Sequence, residues 1–512
     1  MEDDLRPAPV TAIELSSSAV PAPQTDYDHS LAHGIAWTAL LRWAATMVSW
    51  TATFYAARIL APSDYGLIAM AMLGIGLARM AEDFGLDALL VQDRSLTGNT
   101  RARLAGLLLF AGVVLSALFL LGAYPLAAFF REPQVATIVM ALSVLFIADA
   151  LQVVPRAQLQ CDLRFRRLAI ATFVQVAATS VTLVIAARAG LGYWALVLNQ
   201  LVGALVVTIL LVAWYPYAVA WPRDIARLAA PLMQGWRILA SRVAWYGYSN
   251  ADQTIIGRVL GKDALGAYSF ATTFSTLTQQ EVGSVVSRVV PGIFSAVQGR
   301  RADLRRYFLL LTEFLVVLTF PGAIGMALVA DLAIPLILGP QWDAVVVPLR
   351  LLCLYAAFLA SQTLLSHVLM WTGQFRVNMW CSILAGVTMP LALLVAVNYG
   401  LEGIGWVWVL VFPLVNLPAF YYAFRTLNIG TRDWLRAIWP ASAASLAMAV
   451  GVIAVRSAMP STTPLAVLTA ASIATGAIVY CAVLWFGFRD RVRALFDIAK
   501  AMRHRPGQIA PE

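Results

Sequence analysis

The chain has 512 residues, of which 61% are apolar and only 12% are charged, and its formal net charge is +9. Water-soluble domains are roughly one quarter charged, so this composition excludes an ordinary soluble protein. The basic residues lie beside apolar stretches and not in an aromatic-interleaved module, which argues against nucleic acid as a partner. The positive charge instead suits contact with anionic membrane lipid.

The first 31 residues are polar and rich in proline, and they begin Met-Glu-Asp-Asp. A secretory signal would place basic residues before an apolar stretch, which this segment lacks. We expect residues 1–31 to form a disordered cytosolic tail.

About fourteen apolar stretches follow, each long enough to cross roughly 30 Å of hydrocarbon as a helix. They lie near residues 35–60, 64–86, 104–124, 135–155, 168–187, 193–215, 230–257, 264–290, 307–330, 345–371, 378–397, 401–424, 435–456 and 465–487. The connections are short, and no sizeable extramembrane domain is left over. The sequence therefore predicts an all-α polytopic membrane protein.

A nine-residue segment after the first span has a counterpart 200 residues later (258 − 58 = 200). Arg58–Gly66 aligns with Arg258–Gly266 at the arginine, a β-branched residue, a leucine and the closing glycine. Such duplication is typical of transporters, and it predicts two six-helix lobes related by a pseudo-two-fold axis along the membrane normal. The predicted units are an N-lobe over 32–216, a cytosolic linker over 217–229, a C-lobe over 230–426, two further helices over 432–487 and a basic cytosolic tail over 488–512.

The arginines alternate between rich and poor connections along the chain. With the N-terminus in the cytosol, the even-numbered connections hold clusters such as Arg164–Arg167 and Arg300-Arg301. The opposite side holds only Arg58, Arg131, Arg188, Arg258, Lys262 and Arg456. Because cytosolic loops carry the excess of Lys and Arg, we expect both termini to be cytosolic.

Five arginines lie inside the first, second, seventh and eighth spans, in the half nearer the predicted cytosolic side: Arg42, Arg79, Arg237, Arg242 and Arg288. An ionisable group inside a span usually faces a cavity or a partner, and arginine binds phosphate through paired hydrogen bonds. If these corresponding helices face each other, the arginines line a basic cavity. The alternative is that each one snorkels to the membrane surface.

Span 7 carries Trp245, Tyr248 and Asp252 along one side, and span 8 carries Gln280 and Glu281 beside a Ser/Thr stripe. Hydroxyl, amide and aromatic groups on facing helices suit a glycan. The alternative is that the hydroxyls only hold helices together.

The embedded carboxylates are Asp149, Asp252, Glu281 and Glu313. They either couple transport to H⁺ or Na⁺, or neutralise the arginines in the empty carrier. The four cysteines and four histidines have no metal-ligand spacing, so we expect no disulfide, metal site or other cofactor.

Three segments carry a family resemblance. They are Arg58-x-Leu60-x-Pro62-x-Asp64-Tyr65-Gly66, then Asp83-Phe84-Gly85-Leu86 with Leu89-Leu90-Val91-Gln92, and Asn250-x-Asp252 with Gly257-Arg258-x-Leu260-Gly261. Over the first twelve helices, the chain resembles the polysaccharide transporter family, the Wzx-type flippases of the multidrug/oligosaccharidyl-lipid/polysaccharide exporter superfamily.

The resemblance implies flipping of undecaprenyl-pyrophosphate-linked oligosaccharide across the bacterial inner membrane for exopolysaccharide, capsule or O-antigen synthesis. It also implies alternating access through a cationic cavity and a possible link to the polysaccharide polymerase machinery. By helix number and depth, Arg42, Arg79 and Arg288 are similar to the cavity arginines of the related lipid II flippases.

Two other functions remain open. A multidrug or cation antiporter of the same superfamily would want acidic groups to dominate the cavity, whereas arginines outnumber carboxylates here. A polytopic glycan polymerase or ligase would need a large outer loop with catalytic groups, and the short connections provide none. We therefore expect a transporter and not an enzyme.

Overall fold

The structure is a computed structural model that describes residues 24–82, 98–162, 164–221, 242–243, 245–296, 300–460 and 462–491. Both predicted tails lie largely outside these residues. So do most of the predicted linker, the first twelve residues of predicted span 7, and the segment over 83–92 that carries part of the family resemblance. Every regular element in the described part of the chain is helical.

The first half of the chain contains seven helices in its described part. They are α1 (Gln24–Ala57), α2 (Pro62–Glu82), α3 (Gly98–Phe130), α4 (Gln134–Leu142), α5 (Val144–Cys161), α6 (Phe165–Arg188) and α7 (Tyr193–Trp214). Helix α1 packs along α6, α6 along α7, and α3 along α5. These contacts gather the predicted N-lobe into one bundle.

The second half continues with α8 (Ala251–Val259), α9 (Lys262–Ala296), α10 (Arg301–Ile337), α11 (Val346–Trp371), α12 (Phe375–Ala396), α13 (Gly400–Trp406), α14 (Phe412–Leu427), α15 (Thr431–Ala458) and α16 (Leu465–Gly487). A π-helical segment, Val407–Val411, joins α13 to α14. Helix α10 packs along α11 and α15, and α15 packs along α16. The two C-terminal helices therefore attach to the C-lobe side of the molecule.

Nine helical stretches in the described residues are long and apolar enough to cross a membrane. They coincide with predicted spans 3 to 6, 9, 10, 13 and 14, and with spans 11 and 12 combined as one stretch over 375–427. Helices α1, α2 and α9 occupy predicted spans 1, 2 and 8 and are not among these nine. The all-α prediction is confirmed, whereas the count of fourteen spans stays a prediction.

An ion-pair network fixes α15 to the C-lobe. Asp331 of α10 pairs with Arg350 of α11 at 2.9 Å and with Arg456 of α15. Arg456 also donates to the Leu328 carbonyl oxygen at 3.0 Å. Arg456 lies on the predicted outer side, where cations are few, and this network gives it a local partner there.

Helices α2 and α9 form the main contact between the two halves. Each begins at the corresponding place in the sequence repeat, at Pro62 and at Lys262. Gly261 precedes α9 with φ at +87°, a backbone conformation that favours glycine. The chain turns sharply at this point, which sets the start of α9 against the start of α2.

Candidate translocation site between the two halves

The repeated glycines meet at the interface between the halves. A Cβ atom at Gly66 would lie 2.6 Å from the carbonyl carbon of Lys262, and closer still to its oxygen. A Cβ atom at Gly266 would lie 2.8 Å from the carbonyl carbon of Pro62 and overlap its oxygen. Each half thus places its glycine against the first helical carbonyl of the other. Only glycine permits so close a backbone approach.

Both contacts follow the 200-residue offset of the repeat, because Lys262 corresponds to Pro62 (262 − 62 = 200) and Gly266 corresponds to Gly66 (266 − 66 = 200). The two members of the sequence repeat therefore contact each other reciprocally, as a local two-fold axis requires. The repeat register identified the two lobes, but it did not reveal this contact. A glycine at matching positions of both repeats was the signal that could have indicated it.

Polar groups surround the glycine contact and join the two halves. The Arg58 guanidinium donates to the carbonyl oxygens of Leu336 and Ile337, the latter at 2.8 Å. The Trp342 indole N–H donates to the Ala57 carbonyl at 2.7 Å. Lys262 forms an ion pair with Glu132 at 3.0 Å. We call this set, with Gly66 and Gly266, the seal.

An aromatic cluster lies beside the seal. The rings of Phe270 and Trp342 are 4.3 Å apart between centroids, and Tyr65 lies 4.8 Å from Phe270 in an edge-on arrangement. Phe274 continues the cluster toward Trp50 and Phe54, with both centroid distances at 6.0 Å. The rings pack on one another in the tilted, stacked and edge-on arrangements that aromatic pairs adopt. The seal lies at the end of α1 and the starts of α2 and α9, on the predicted outer side.

Of the predicted anion-binding arginines, Arg42 and Arg79 lie farther along their helices, away from the seal. Arg42 of α1 is exposed, and so is Arg242. Arg79 of α2 pairs with Asp149 of α5, with Nη2 at 2.9 Å and Nε at 3.1 Å from the same carboxylate oxygen. Arg79 and Asp149 keep 41% and 29% of their side-chain surface exposed. The pair is therefore reachable by another anion.

Some predicted site residues are not described. Arg237 lies outside the described residues. Gln280, Glu281 and Arg288 belong to α9, but their side chains also lie outside the description. The convergence of all five arginines on one cavity stays a prediction.

The aromatic residues before α8 face different surroundings. Trp245 is 61% exposed, whereas Tyr248 is half-buried against the core cluster. Between them, the Tyr246 hydroxyl donates to the Leu73 carbonyl of α2 at 3.1 Å and lies against Gly76. This tie between the halves was not predicted. Trp245 remains available to a ligand, while Tyr246 holds the helices together.

Asp252 is buried in the C-lobe, with only 6% of its surface exposed. One carboxylate oxygen accepts the Tyr268 hydroxyl at 2.6 Å, and the other accepts the Gln253 backbone N–H at 2.7 Å. The Tyr268 oxygen in turn accepts the indole N–H of Trp408 at 3.0 Å. Trp408 lies in the π-helical segment, a feature frequent at functional sites. The sequence predicted Asp252 as a candidate but not its two partners.

The two helical halves contact each other closely at the seal, and the charged groups Arg42, Arg79 and Asp149 lie away from it. Membrane transporters are organised in this way. Residues 56–347 match the profile of the family described as polysaccharide biosynthesis protein, and the chain belongs to that family. The resemblance to polysaccharide transporters is thereby confirmed.

Three curated relatives agree with this assignment. The chain is 24% identical over 481 residues to the succinoglycan biosynthesis transport protein ExoT of Rhizobium meliloti (strain 1021), covering 93% of this chain and 97% of ExoT. It is 24% identical to the lipopolysaccharide biosynthesis protein WzxC of Escherichia coli (strain K12), covering 58% of this chain and 61% of WzxC. It is 25% identical to the teichuronic acid biosynthesis protein TuaB of Bacillus subtilis (strain 168), covering 65% and 70%.

Among solved structures, an inward-facing multidrug resistance MATE family transporter aligns over 90% of this chain and 99% of its own. The sequence identity is 11% and the TM-score is 0.37, a similarity too low to bear on the fold. The family assignment therefore rests on the sequence comparisons.

Proposed function

We propose that this protein flips undecaprenyl-pyrophosphate-linked oligosaccharide from the cytosolic to the outer leaflet of the bacterial inner membrane by alternating access. The flipped oligosaccharide is the repeat unit of an exopolysaccharide, a capsule or an O-antigen. One observation carries the proposal: the halves are sealed at the Arg58–Gly66 end, while Arg42 and the Arg79–Asp149 pair stay accessible away from it. This is the arrangement that a carrier open to the cytosol needs.

The Arg79–Asp149 pair suits reversible binding of a pyrophosphate. In the empty carrier Asp149 neutralises Arg79, which lowers the cost of a cation inside the membrane. A pyrophosphate offers more oxygen acceptors and more charge, so it displaces Asp149 from the guanidinium fork. The exposed indole of Trp245 then stacks against a sugar ring, and the lipid tail stays in the bilayer.

The membrane potential assists the outward step. With the cytosol negative, each negative charge that crosses fully gains about 2.3 kcal/mol per 100 mV. Opening requires the seal to separate, which breaks the Arg58, Lys262 and Trp342 contacts together. We also propose that both termini are cytosolic and that the protein associates with the polysaccharide polymerase machinery.

Deletion of the gene and complementation test this function. Surface polysaccharide and the pool of lipid-linked repeat units are measured with the wild type, Arg42→Ala and Arg79→Ala. Arg376→Ala, which removes an arginine of the predicted cytosolic surface, is the control. We expect the first two variants to reach the membrane but to lose polymer and accumulate repeat units, while the control retains polymer. Intact polymer in the deletion strain, with altered drug sensitivity, would favour the antiporter instead.

Orientation is tested separately with single cysteines in a background whose native cysteines are replaced by serine. A membrane-impermeant maleimide applied to intact spheroplasts should label Arg131→Cys and leave Arg166→Cys unlabelled until the membrane is opened. The reverse pattern would invert the topology and place the seal at the cytosol.

A further inference from the structure

A groove lies where α14 ends and α15 begins, at the predicted cytosolic side of the C-lobe. Its volume is about 660 Å³, within the range of roughly 300–1,000 Å³ that is usual for ligand sites. Leu417, Phe420 and Phe424 of α14 line one end of it with apolar side chains. Arg425 and Thr431 line the other end, at the turn between the two helices. The groove is therefore apolar at one end and polar at the other.

The exposed side of α14 forms the long wall of this groove. Leu417, Tyr421, Arg425 and Asn428 follow one another at steps of three or four residues, so they share one helix face, and all four are exposed. Leu417 lies eight residues before Arg425 (425 − 417 = 8), which is about 12 Å along the helix axis. One leaflet contributes roughly 15 Å of hydrocarbon, half the thickness of the bilayer core. The apolar wall therefore matches most of the depth of one acyl chain.

Two arginines border the polar end of the groove. Nη1 of Arg425 lies 3.5 Å from the Tyr421 hydroxyl oxygen, and Arg432, one residue beyond the lining, is exposed. Asp433 in the first turn of α15 is engaged by Arg305 of α10, which donates to its carboxylate at 2.7 Å. A guanidinium fork binds two oxygens of a phosphate at once. The polar end therefore suits a phosphate group.

The concave shape separates this site from ordinary interfacial anchoring. Tyrosine and arginine at the end of a membrane helix are common anchors, but anchoring needs no groove. A phosphate free in solution would use the arginine and leave the apolar wall uncovered. An anionic phospholipid uses both ends. We propose that the groove binds an anionic phospholipid of the predicted cytosolic leaflet, with its phosphate at Arg425 and one acyl chain along Leu417 and Phe420. This site goes beyond the proposed function and does not depend on it.

Fluorescence quenching by brominated lipid tests the site in vesicles that contain the full-length protein. A bimane fluorophore is attached at Leu417→Cys in the background whose native cysteines are replaced by serine. The vesicles mix anionic phosphatidylglycerol with uncharged phosphatidylcholine, and only one of the two lipids is brominated. Bromine quenches on contact, so exchanging the brominated lipid measures the headgroup preference of the site. We expect phosphatidylglycerol to be preferred about fivefold or more, equivalent to roughly 1 kcal/mol for each arginine near the headgroup.

Val174→Cys on α6 is the matched control position. Val174 lies nine residues from the predicted cytosolic end of its helix (174 − 165 = 9), and Leu417 lies ten residues from that of α14 (427 − 417 = 10). Both side chains are exposed. Bimane at Val174→Cys should be quenched nearly equally by the two brominated lipids, because it reports contact with bulk lipid.

Three substitutions with the reporter at Leu417→Cys identify the headgroup contact. Arg425→Gln should reduce the preference to the level found at Val174→Cys. Arg425→Lys keeps the charge without the fork and should retain part of the preference. Arg166→Ala removes an exposed arginine at the start of α6 and should change nothing. Arg425 is exposed, so neither of its substitutions opens a cavity in the packed core.

Several results would overturn the proposal. Equal quenching by the two brominated lipids at Leu417→Cys would do so. A preference that persists in Arg425→Gln, or that is equally strong at Val174→Cys, would reduce the effect to general charge attraction. Loss of the preference in excess inorganic phosphate, beyond the effect of sodium chloride at equal ionic strength, would assign the polar end to a free anion. Displacement of the brominated lipid by undecaprenyl phosphate would assign the groove to a polyprenyl chain. The measurement involves no flipping, so its failure leaves the proposed function standing.

Discussion

The two halves of the molecule are equivalent where they touch and different where they hold charge. At the seal, Gly66 and Gly266 make the same contact in opposite directions. Asp149 of the N-lobe pairs with Arg79 away from the seal, whereas Asp252 of the C-lobe has hydrogen-bond donors but no cation among the described residues. The repeat thus accounts for the reciprocal contact at the seal, whereas the buried carboxylates of the two halves differ in their partners.

A side chain at either Gly66 or Gly266 should disrupt the close backbone contact between the two halves at the seal. Valine at Gly66 or Gly266 would collide with a backbone carbonyl, which cannot rotate away as a side chain does. We expect each variant to lose transport at least about a hundredfold, equivalent to roughly 2.8 kcal/mol, and we expect equal losses at the two positions. Flipping in liposomes measures this.

Thiol labelling identifies the cause of that loss. Phe274→Cys, in the cysteine-free background, places a reporter at a buried site in the aromatic cluster. Its labelling should rise when Gly266→Val or Gly66→Val is added, because the halves no longer close. Unchanged labelling, or a loss at only one glycine, would mean that the contact is not a symmetric closure.

The Arg79–Asp149 pair allows the role of the carboxylate that has a cationic partner to be tested. Arg79→Ala leaves Asp149 without its cation, and at this partial exposure we expect a stability loss of about 1–2 kcal/mol. Flipping should fall about tenfold or more, because the anion loses its partner. Thermal unfolding in detergent and flipping in liposomes measure the two effects.

The charge-swapped double variant Arg79→Asp with Asp149→Arg serves as the control for that prediction. It should recover stability, because the ion pair is rebuilt. Flipping should stay low if the position of the cation matters. Full recovery of flipping would mean that the pair only stabilises the fold.

Much of the fold follows from sequence because apolar length and the repeat are local properties. The helices over most predicted spans and the two-lobe organisation were accessible in this way. The pairing of Arg79 with Asp149 was not, because the two residues lie 70 positions apart on helices whose rotation is set by packing. The same holds for Trp408, which lies 140 positions from Tyr268. Helix periodicity assigns a side chain to a face but does not identify the opposing face.

A smaller effect is expected at the Lys262–Glu132 bridge, which spans the seal between α9 and the α3–α4 connection. Lys262→Glu places two carboxylates together and should destabilise the sealed state by about 1 kcal/mol, since the pair is partly exposed. Adding Glu132→Lys should restore closure. A double-mutant cycle on Phe274→Cys labelling measures the coupling, and a coupling energy near zero would exclude the bridge from the seal.

The smallest effect tests whether both halves contribute to the anion site. Arg42 lies in the N-lobe and Arg242 in the corresponding part of the C-lobe, and both are exposed. Lysine keeps the charge of each but loses the planar fork that binds two phosphate oxygens at once. We expect Arg42→Lys and Arg242→Lys each to lower flipping about threefold, or roughly 0.7 kcal/mol. Equal losses, measured against Arg376→Lys, would extend the symmetry of the seal to the binding site. A loss confined to Arg42→Lys would restrict the anion site to the N-lobe. The two halves would then differ in their anion-binding groups although they make equivalent contacts at the seal.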